Sequence, residues 1–238
     1  MKATISGPSN MVITSRDPGA AASEAFRVLR TNLQFMGLDK PLKSIVVTSA
    51  TPGEGKTTTV VNLAVAFAQT GARVCLVDAD LRRPRVAKSL GIPNWSGLTT
   101  ALVNKESPAG YFQSTMEPGL SALTSGPIPP NPAELLGSSR MTTLLAELEE
   151  RFDIVLVDSP PVLAVTDAAV LAPKVGGVVL VTRAGVVGRH QALRAKEALE
   201  AVKANVLGVV LSAVTAEGRD GYYYYYYQSG DTDRAARK

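Results

Sequence analysis

Glycines, a lysine and a threonine follow an apolar run in the order that a phosphate-binding loop requires. The stretch from Ala50 to Thr57 matches the spacing G-x-x-x-x-G-K-[ST], except that alanine stands at its first position. Gly53 and Gly55 would let backbone N–H groups approach phosphate oxygens, and a following helix would add the positive end of its dipole. Lys56 would then reach the β- and γ-phosphates, and Thr57 could ligate Mg²⁺. The pattern predicts a nucleotide site rather than an ordinary glycine-bearing turn.

Carboxylates stand at the ends of two further apolar runs. Asp78 and Asp80 end the run that begins at Arg73, and Asp158 ends the run that begins at Asp153. Ligands bind beyond the carboxyl ends of parallel strands, so these acids should open onto the same crevice as the glycine loop. One such acid suffices to hold Mg²⁺ in a nucleotide switch, whereas here one acid could hold the metal and another could accept a proton. For Asp78 or Asp80 the alternative is a helix N-cap after the strand.

Apolar runs alternate with amphipathic stretches along most of the chain, which is typical of βα units around a parallel sheet buried on both faces. The predicted class is α/β, a P-loop NTPase-type sheet between two helical layers. Residues 1–214 should form this domain, and residues 215–238, where apolar periodicity is lost, a flexible tail. Strands are predicted at 44–49, 73–78, 120–124, 153–158, 177–182 and 206–213. Helices are predicted at 20–36, 56–70, 132–150, 165–173 and 188–204.

Composition says more about the cellular compartment of the protein than about its binding partner. With 238 residues, 45% of them apolar, the chain can bury the core of one domain. No apolar run approaches the ~20 residues that span a bilayer, and the first ten residues lack the apolar core of a signal peptide. We therefore expect a cytoplasmic protein. The net charge of +4 is compatible with nucleotide, nucleic acid or an anionic membrane surface.

Six of the seven tyrosines form one unbroken run near the C-terminus. Successive side chains of an extended segment point to opposite sides, so this run cannot bury all its rings against one surface. Taken alone, the run could be a sticky, low-complexity aromatic tail. Its members are Tyr222, Tyr223, Tyr224, Tyr225, Tyr226 and Tyr227.

Together these features resemble the bacterial tyrosine kinases that control capsular and exopolysaccharide synthesis, over nearly the whole chain. The Walker A, A′ and B motifs of that family correspond to Ala50–Thr57, Val74–Arg82 and Ile154–Pro161. Its E-x-x-R-x-x-R oligomerisation motif corresponds to Glu24, Arg27 and Arg30, and its G-P-x-P-P-N-P-x-E-L-L loop begins at Gly126. The tyrosine run stands where the family has its C-terminal tyrosine cluster. Each element is common alone, but their order and joint presence are specific.

The resemblance implies a protein-tyrosine autokinase that uses ATP and Mg²⁺ and phosphorylates its own tyrosine run. By this resemblance Asp78 is the base, and Lys56 and Asp80 complete the catalytic set. Mg²⁺ would be held by Thr57 and Asp80 with help from Asp158. The implied nucleotide-binding residues are Gly53, Glu54, Gly55, Lys56, Thr57, Thr58, Arg82 and Asp158.

The resemblance also implies partners. Glu24, Arg27 and Arg30 would join subunits into a ring, an octamer in this family, although on a lone helix they could equally form a solvated charged face. The cytoplasmic end of a membrane chain-length regulator would recruit the kinase to the inner face of the membrane and activate it. Other tyrosine-bearing proteins are possible substrates, and no nucleic acid is expected.

Two rival interpretations share the fold. A partitioning or septum-positioning ATPase would carry an early lysine in the pattern K-G-G-x-G-K-[ST], but Thr51 stands at that position, and such a switch has no use for the tyrosines. A catalytically silent scaffold would not need all three acids and the lysine.

The sequence departs from the wider P-loop family at a residue that helps to place the adenine ring. Many P-loop relatives have asparagine in the last strand, where this chain has Ser212.

Overall fold

The predicted apolar runs form one seven-stranded sheet in the computed structural model, which describes residues 12–38 and 41–214. The order across the sheet is β3-β4-β2-β5-β1-β6-β7, and neighbouring strands are parallel except for the antiparallel pair of β3 and β4. The strands are Ser44–Ser49 (β1), Val74–Asp78 (β2), Gln113–Ser114 (β3), Leu120–Leu123 (β4), Ile154–Asp158 (β5), Gly177–Arg183 (β6) and Val206–Ser212 (β7).

Helices cover both faces of the sheet. They are Ile13–Arg16 (α1), Ala21–Met36 (α2), Lys56–Ala68 (α3), Val86–Leu90 (α4), Leu98–Asn104 (α5), Pro132–Gly137 (α6), Ser139–Arg151 (α7), Asp167–Leu171 (α8) and Arg189–Ala201 (α9). Short 3₁₀ helices lie at Pro108–Tyr111 and Ala172–Lys174. Among these residues, no helix is both long and apolar enough to cross a membrane.

Two apolar cores separate these layers, and alternate side chains of each central strand supply them. In β1, Ile45 and Val47 belong to the core shared with α2, α3 and α4, whereas Val46 belongs to the core shared with helices α5 to α9. Every residue of β1, β2 and β5 is buried. The expected three-layer α/β fold is thereby confirmed, and the carboxyl ends of three buried strands lie side by side.

The predicted helix over 132–150 is wrong in one respect, because two helices occupy that stretch. Ser138 has extended backbone between them (φ −63°, ψ 157°), and its hydroxyl accepts a hydrogen bond from Met141 N–H at the start of α7. A serine in this conformation is a favourable N-cap, which explains why a new helix begins there.

Other differences concern short elements. The predicted helix over 165–173 is only α8 followed by a 3₁₀ turn that contains Pro173, which lacks the N–H needed to continue an α-helix. The short helices α1, α4 and α5 and the two-residue strand β3 were not predicted, because each is too short to show periodicity. The predicted tail, 215–238, lies outside the described residues.

Candidate active site

The glycine loop joins β1 to α3 with the backbone shape that a phosphate cradle needs. Gly53 and Gly55 have φ values of 85° and 92°, a left-handed conformation that glycine adopts readily. A side chain at Gly55 would also crowd Ser212, since an added Cβ would lie 3.3 Å from its Oγ. Gly55 is the N-cap of α3 and, as a glycine, provides no side-chain capping bond. The first N–H groups of a helix have no acceptor within it, and Lys56, Thr57 and Thr58, the first residues of α3, line a cleft.

Lys56 and Thr57, the first residues of α3, contact the predicted strand-end acids. Lys56 Nζ lies 2.9 Å from Asp80 Oδ2, with both side chains largely buried, and Thr57 Oγ1 donates a 2.6 Å hydrogen bond to Asp158 Oδ2. Burial disfavours the charged lysine, but attraction to Asp158 and Asp80 outweighs it, so the pKa of Lys56 lies above its ordinary value. The structure thus brings together the lysine, the threonine and two of the three acids.

Asp78 lies beside Asp158, because the two residues are register partners in β2 and β5. Asp78 Oδ2 accepts hydrogen bonds from the backbone N–H groups of Arg85 (3.1 Å) and Val86 (3.0 Å), where α4 begins. One oxygen of Asp78 therefore caps α4, which is the alternative role considered for this residue. The other, Oδ1, is buried without a hydrogen-bond partner. Burial and the neighbouring charge of Asp158 raise the pKa of Asp78 well above its ordinary value.

The charge of this site favours a divalent cation. Asp78, Asp80 and Asp158 converge on Lys56, and Asp158 Oδ1, like Asp78 Oδ1, is buried without a partner. No group of three or more His, Cys, Asp or Glu residues with the geometry of a metal site occurs in the described part of the chain. Mg²⁺, however, takes only one or two protein carboxylates and completes its shell with water and phosphate oxygens. The donor set therefore fits Mg²⁺ held jointly with a nucleotide.

Glu54 has a role that the loop motif did not reveal. Its side chain is buried; Oε1 accepts hydrogen bonds from the N–H and hydroxyl of Thr51, and Oε2 accepts one from Thr182 Oγ1 at 3.0 Å. Ser212 Oγ donates to the backbone oxygen of Glu54 at 2.5 Å. These bonds tie the loop to β6 and β7. The predicted contribution of Glu54 to nucleotide binding can therefore come from its backbone and from loop shape.

An open cleft of about 480 Å³ lies over the glycine loop and Asp80, whereas the fully buried Asp78 and Asp158 do not line it. Gly53, Gly55, Lys56, Thr57, Thr58 and Asp80 line its floor. The cleft is also lined by three basic residues, Arg82, Arg83 and Arg85, and by Pro160, Pro161, Ala164 and Val165. A second cleft, of about 510 Å³, lies on the other side of Gly53 and Gly55 and extends between α2 and Ser212.

Arg82 is held by a residue that the sequence did not single out. Its Nε and Nη2 atoms donate to Asp167 Oδ2 and Oδ1 at 2.9 and 3.0 Å. Asp167 is fully buried at the start of α8. No motif marks it, and only its three-dimensional contact with Arg82 reveals it.

The predicted oligomerisation residues make contacts within the chain. Glu24 and Arg27 form a 2.8 Å ion pair one turn apart on α2, and Arg27 also donates to Pro18 O. Arg30 Nη1 donates to Ala66 O at 2.9 Å. Their role between subunits remains a prediction, and the tyrosine run from Tyr222 to Tyr227 lies outside the described residues.

Fold and site together define a P-loop NTPase. A family model described as ParA, an NUBPL iron-transfer P-loop NTPase, matches residues 41–238. The septum site-determining protein MinD of Pyrococcus horikoshii, 22% identical with a TM-score of 0.61, shares the fold. Relatives with higher sequence identity are tyrosine kinases. The chain is 45% identical over 214 residues to tyrosine-protein kinase YwqD of Bacillus subtilis, covering 89% of this chain and 90% of that one.

Solved structures give the same result. The kinase domain of the Escherichia coli tyrosine kinase ETK superimposes with a TM-score of 0.82 at 34% identity, covering 88% of this chain and 84% of that one. The chimerical protein CapA2B2 gives 0.81 at 39% identity, covering 86% and 90%. The whole etk protein of strain K12 is longer, and the match spans 28% of it. This chain belongs to the bacterial tyrosine kinases, which confirms the resemblance seen in its motifs.

The buried acids should destabilise the metal-free protein at neutral pH. Burial raises the pKa of Asp158 to about 6 against the opposing effect of Lys56. An acid whose pKa is raised by folding contributes most stability below its unfolded pKa and loses it as pH rises through the folded value. Asp158→Asn should therefore increase the free energy of unfolding by roughly 1–3 kcal/mol at pH 7, with little gain at pH 4.

Urea unfolding with EDTA at the two pH values measures this difference. Asp153→Asn is the control, because Arg73 holds the pKa of that exposed carboxyl below its ordinary value. The control should gain no stability at pH 7. An Asp158→Asn protein that is less stable than the parent at pH 7 would contradict the prediction.

Proposed function

We propose that this tyrosine kinase transfers the γ-phosphate of ATP to the tyrosines of its own C-terminal run, Tyr222 to Tyr227. The observation that carries the proposal is the placement of Lys56, Thr57 and Asp80 along one cleft, with the buried Asp158 bonded to Thr57, together with the tyrosine run near the end of the same chain. The phosphates would occupy the cleft over the glycine loop. The adenine ring of ATP would extend into the second cleft, toward Ser212.

Catalysis would come mostly from positioning and charge neutralisation around the phosphates. Lys56 would exchange its contact with Asp80 for phosphate oxygens, and the first N–H groups of α3 would bind the same phosphates. Thr57, Asp80 and Asp158 would hold Mg²⁺. Bound there, Mg²⁺ would neutralise the charge that develops on the β- and γ-phosphate oxygens.

Asp78 would act as the base. Its Oδ1 has no partner but is buried, so access to it would have to open as the acceptor tyrosine binds. Oδ1 would then take the proton of the tyrosine hydroxyl as the phenol oxygen forms a bond to the γ-phosphorus and the bond to the β-phosphate oxygen breaks. A carboxylate whose pKa lies above its ordinary value accepts a proton from a phenol of pKa ≈ 10 with less penalty than an ordinary one. The products are ADP and phosphotyrosine.

The length of the tail is compatible with transfer within a subunit and between subunits. Ser212 ends β7 beside the glycine loop, since its hydroxyl bonds to Glu54. The ten residues from there to Tyr222 extend to at most roughly 35 Å. We place the transfer between subunits of a ring held by Glu24, Arg27 and Arg30. The cytoplasmic segment of a membrane chain-length regulator would recruit and activate this ring at the inner face of the membrane, with control of capsular or exopolysaccharide synthesis as the outcome.

Transfer between subunits predicts a clear result when two defective proteins are mixed. Lys56→Met keeps the tail but should lose transfer, because it lacks the phosphate-binding charge. A chain ending at Val214 keeps the site but has no acceptor run. With ATP and Mg²⁺, the tail of the Lys56→Met protein should become phosphorylated only in the mixture, as read by mass spectrometry of its C-terminal peptide. An unmodified tail, beside an active full-length control, would contradict transfer between subunits.

The role of Asp78 is tested by Asp78→Asn rather than by alanine, since an amide oxygen can still accept the N–H groups of Arg85 and Val86. The variant should lose at least about 100-fold in tyrosine phosphorylation, the usual contribution of a general base. Its affinity for a fluorescent ATP analogue should change less than about threefold, since Asp78 would act on the acceptor tyrosine. Phosphorylation at the parent rate would remove Asp78 from the role of base.

A further inference from the structure

Arg82 and Asp167 join the two loops that flank the cleft. Arg82 lies in the loop after β2, and Asp167 follows the segment that leaves β5. Two parallel hydrogen bonds of 2.9 and 3.0 Å connect them. Asp167 is fully buried, whereas the Arg82 side chain is 40% exposed and lines the cleft. The guanidinium therefore binds a buried carboxylate while its own side chain lines the cleft over the glycine loop.

Asp167 lies at the end of a segment fixed to the strand that carries the glycine loop. The N–H groups of Ser159, Val162 and Leu163 donate to backbone oxygens of β1 and of Ala50 at 3.1, 2.8 and 3.3 Å. These backbone bonds fix the first part of the segment that leads to Asp167. A bidentate carboxylate also fixes the plane of a guanidinium, which one hydrogen bond cannot do.

This geometry leaves a hydrogen-bond donor of a cleft-lining side chain unused. The two bonds use Nε and Nη2 of Arg82, so Nη1 stays available for a phosphate oxygen in the space that Lys56 and Thr57 also line. We propose that Asp167 is a positioning residue of this kinase: it touches no nucleotide, but orients Arg82 toward the phosphates. The proposal rests on the proposed function in that the anion is taken to be ATP.

A purely structural role for the Arg82–Asp167 pair leads to a different expected result. If the bonds only hold the loop in place, loss of either partner should reduce stability, because a buried charge is left unpaired. The folded fraction would then bind and use ATP normally. If Asp167 orients Arg82, affinity and rate should fall even where the protein is fully folded.

A double-mutant cycle separates these roles. The proteins are Arg82→Ala, Asp167→Asn and the double variant, and the readouts are the Kd of a fluorescent ATP analogue with Mg²⁺, kcat/KM for tyrosine phosphorylation, and urea unfolding. Each single variant should lose about tenfold or more in affinity and kcat/KM, and the double variant should be no worse than Arg82→Ala, because Asp167 acts through Arg82. Asp167→Asn with the parent affinity and kcat/KM, or losses that multiply in the double variant, would overturn the proposal.

Arg82→Lys keeps the proposal testable if Asp167→Asn does not fold. Lysine still neutralises the buried carboxylate but cannot form the planar fork. It should fold and lose about tenfold in affinity, and a Kd equal to the parent's would overturn the proposal. Arg73→Lys is the matched control, because Arg73 forms a similar fork with Asp153 at the amino end of β2, away from the cleft. This control should keep the parent Kd.

The binding readout is independent of phosphate transfer. A parent protein that forms no phosphotyrosine would contradict the proposed function. The cycle measured on nucleotide affinity would still decide whether Asp167 orients Arg82.

Discussion

Carboxylates buried at the ends of adjacent strands are the constraint on which this site depends. Asp78 and Asp158 are register partners in β2 and β5, and both are fully buried. Burying such charges is unfavourable unless donors or cations compensate them. Nearby elements supply that compensation through the backbone at the start of α4, the hydroxyl of Thr57 and the ammonium of Lys56.

The negative charge of the buried acids is only partly compensated by the described residues, and this incomplete compensation favours binding of a cation. One oxygen of Asp78 and one of Asp158 remain without a hydrogen-bond partner, and the pKa of each acid is raised. A site of this kind is poised for a divalent cation and for the phosphates that accompany it. We expect the buried acids to be tolerated because two apolar cores hold the strand ends in place. This is the usual relation between a stable scaffold and a strained functional site.

The parts of the site encoded by short spacing were predictable from the sequence. The glycine loop with Lys56 and Thr57, and the acids at two strand ends, depend on local patterns that specify a strand, a turn and a helix start. Family resemblance added the roles of Asp78 and the tyrosine run, which spacing alone left open. The parallel sheet was predictable for the same reason, since buried strands give continuous apolar runs.

What could not be predicted depends on contacts between distant residues. Glu54 bonds to Thr182, and Arg82 bonds to Asp167. The partners in each pair are far apart in the sequence, so no local sequence pattern predicts the contact. The break before α7 depends on one capping serine inside a continuous amphipathic pattern. Very short helices such as α4 form because the fold supplies a cap, here the carboxylate of Asp78.

On this account the acidic P-loop site delivers the γ-phosphate of ATP to tyrosine rather than to water. The most direct test incubates the full chain with Mg²⁺ and γ-labelled ATP and divides the label between the protein and free phosphate, beside a chain ending at Val214. The label should appear on the peptide that contains Tyr222 to Tyr227, and the shorter chain should bind ATP equally well but carry almost no label. Label found only as free phosphate, in equal amounts from both chains, would contradict the claim.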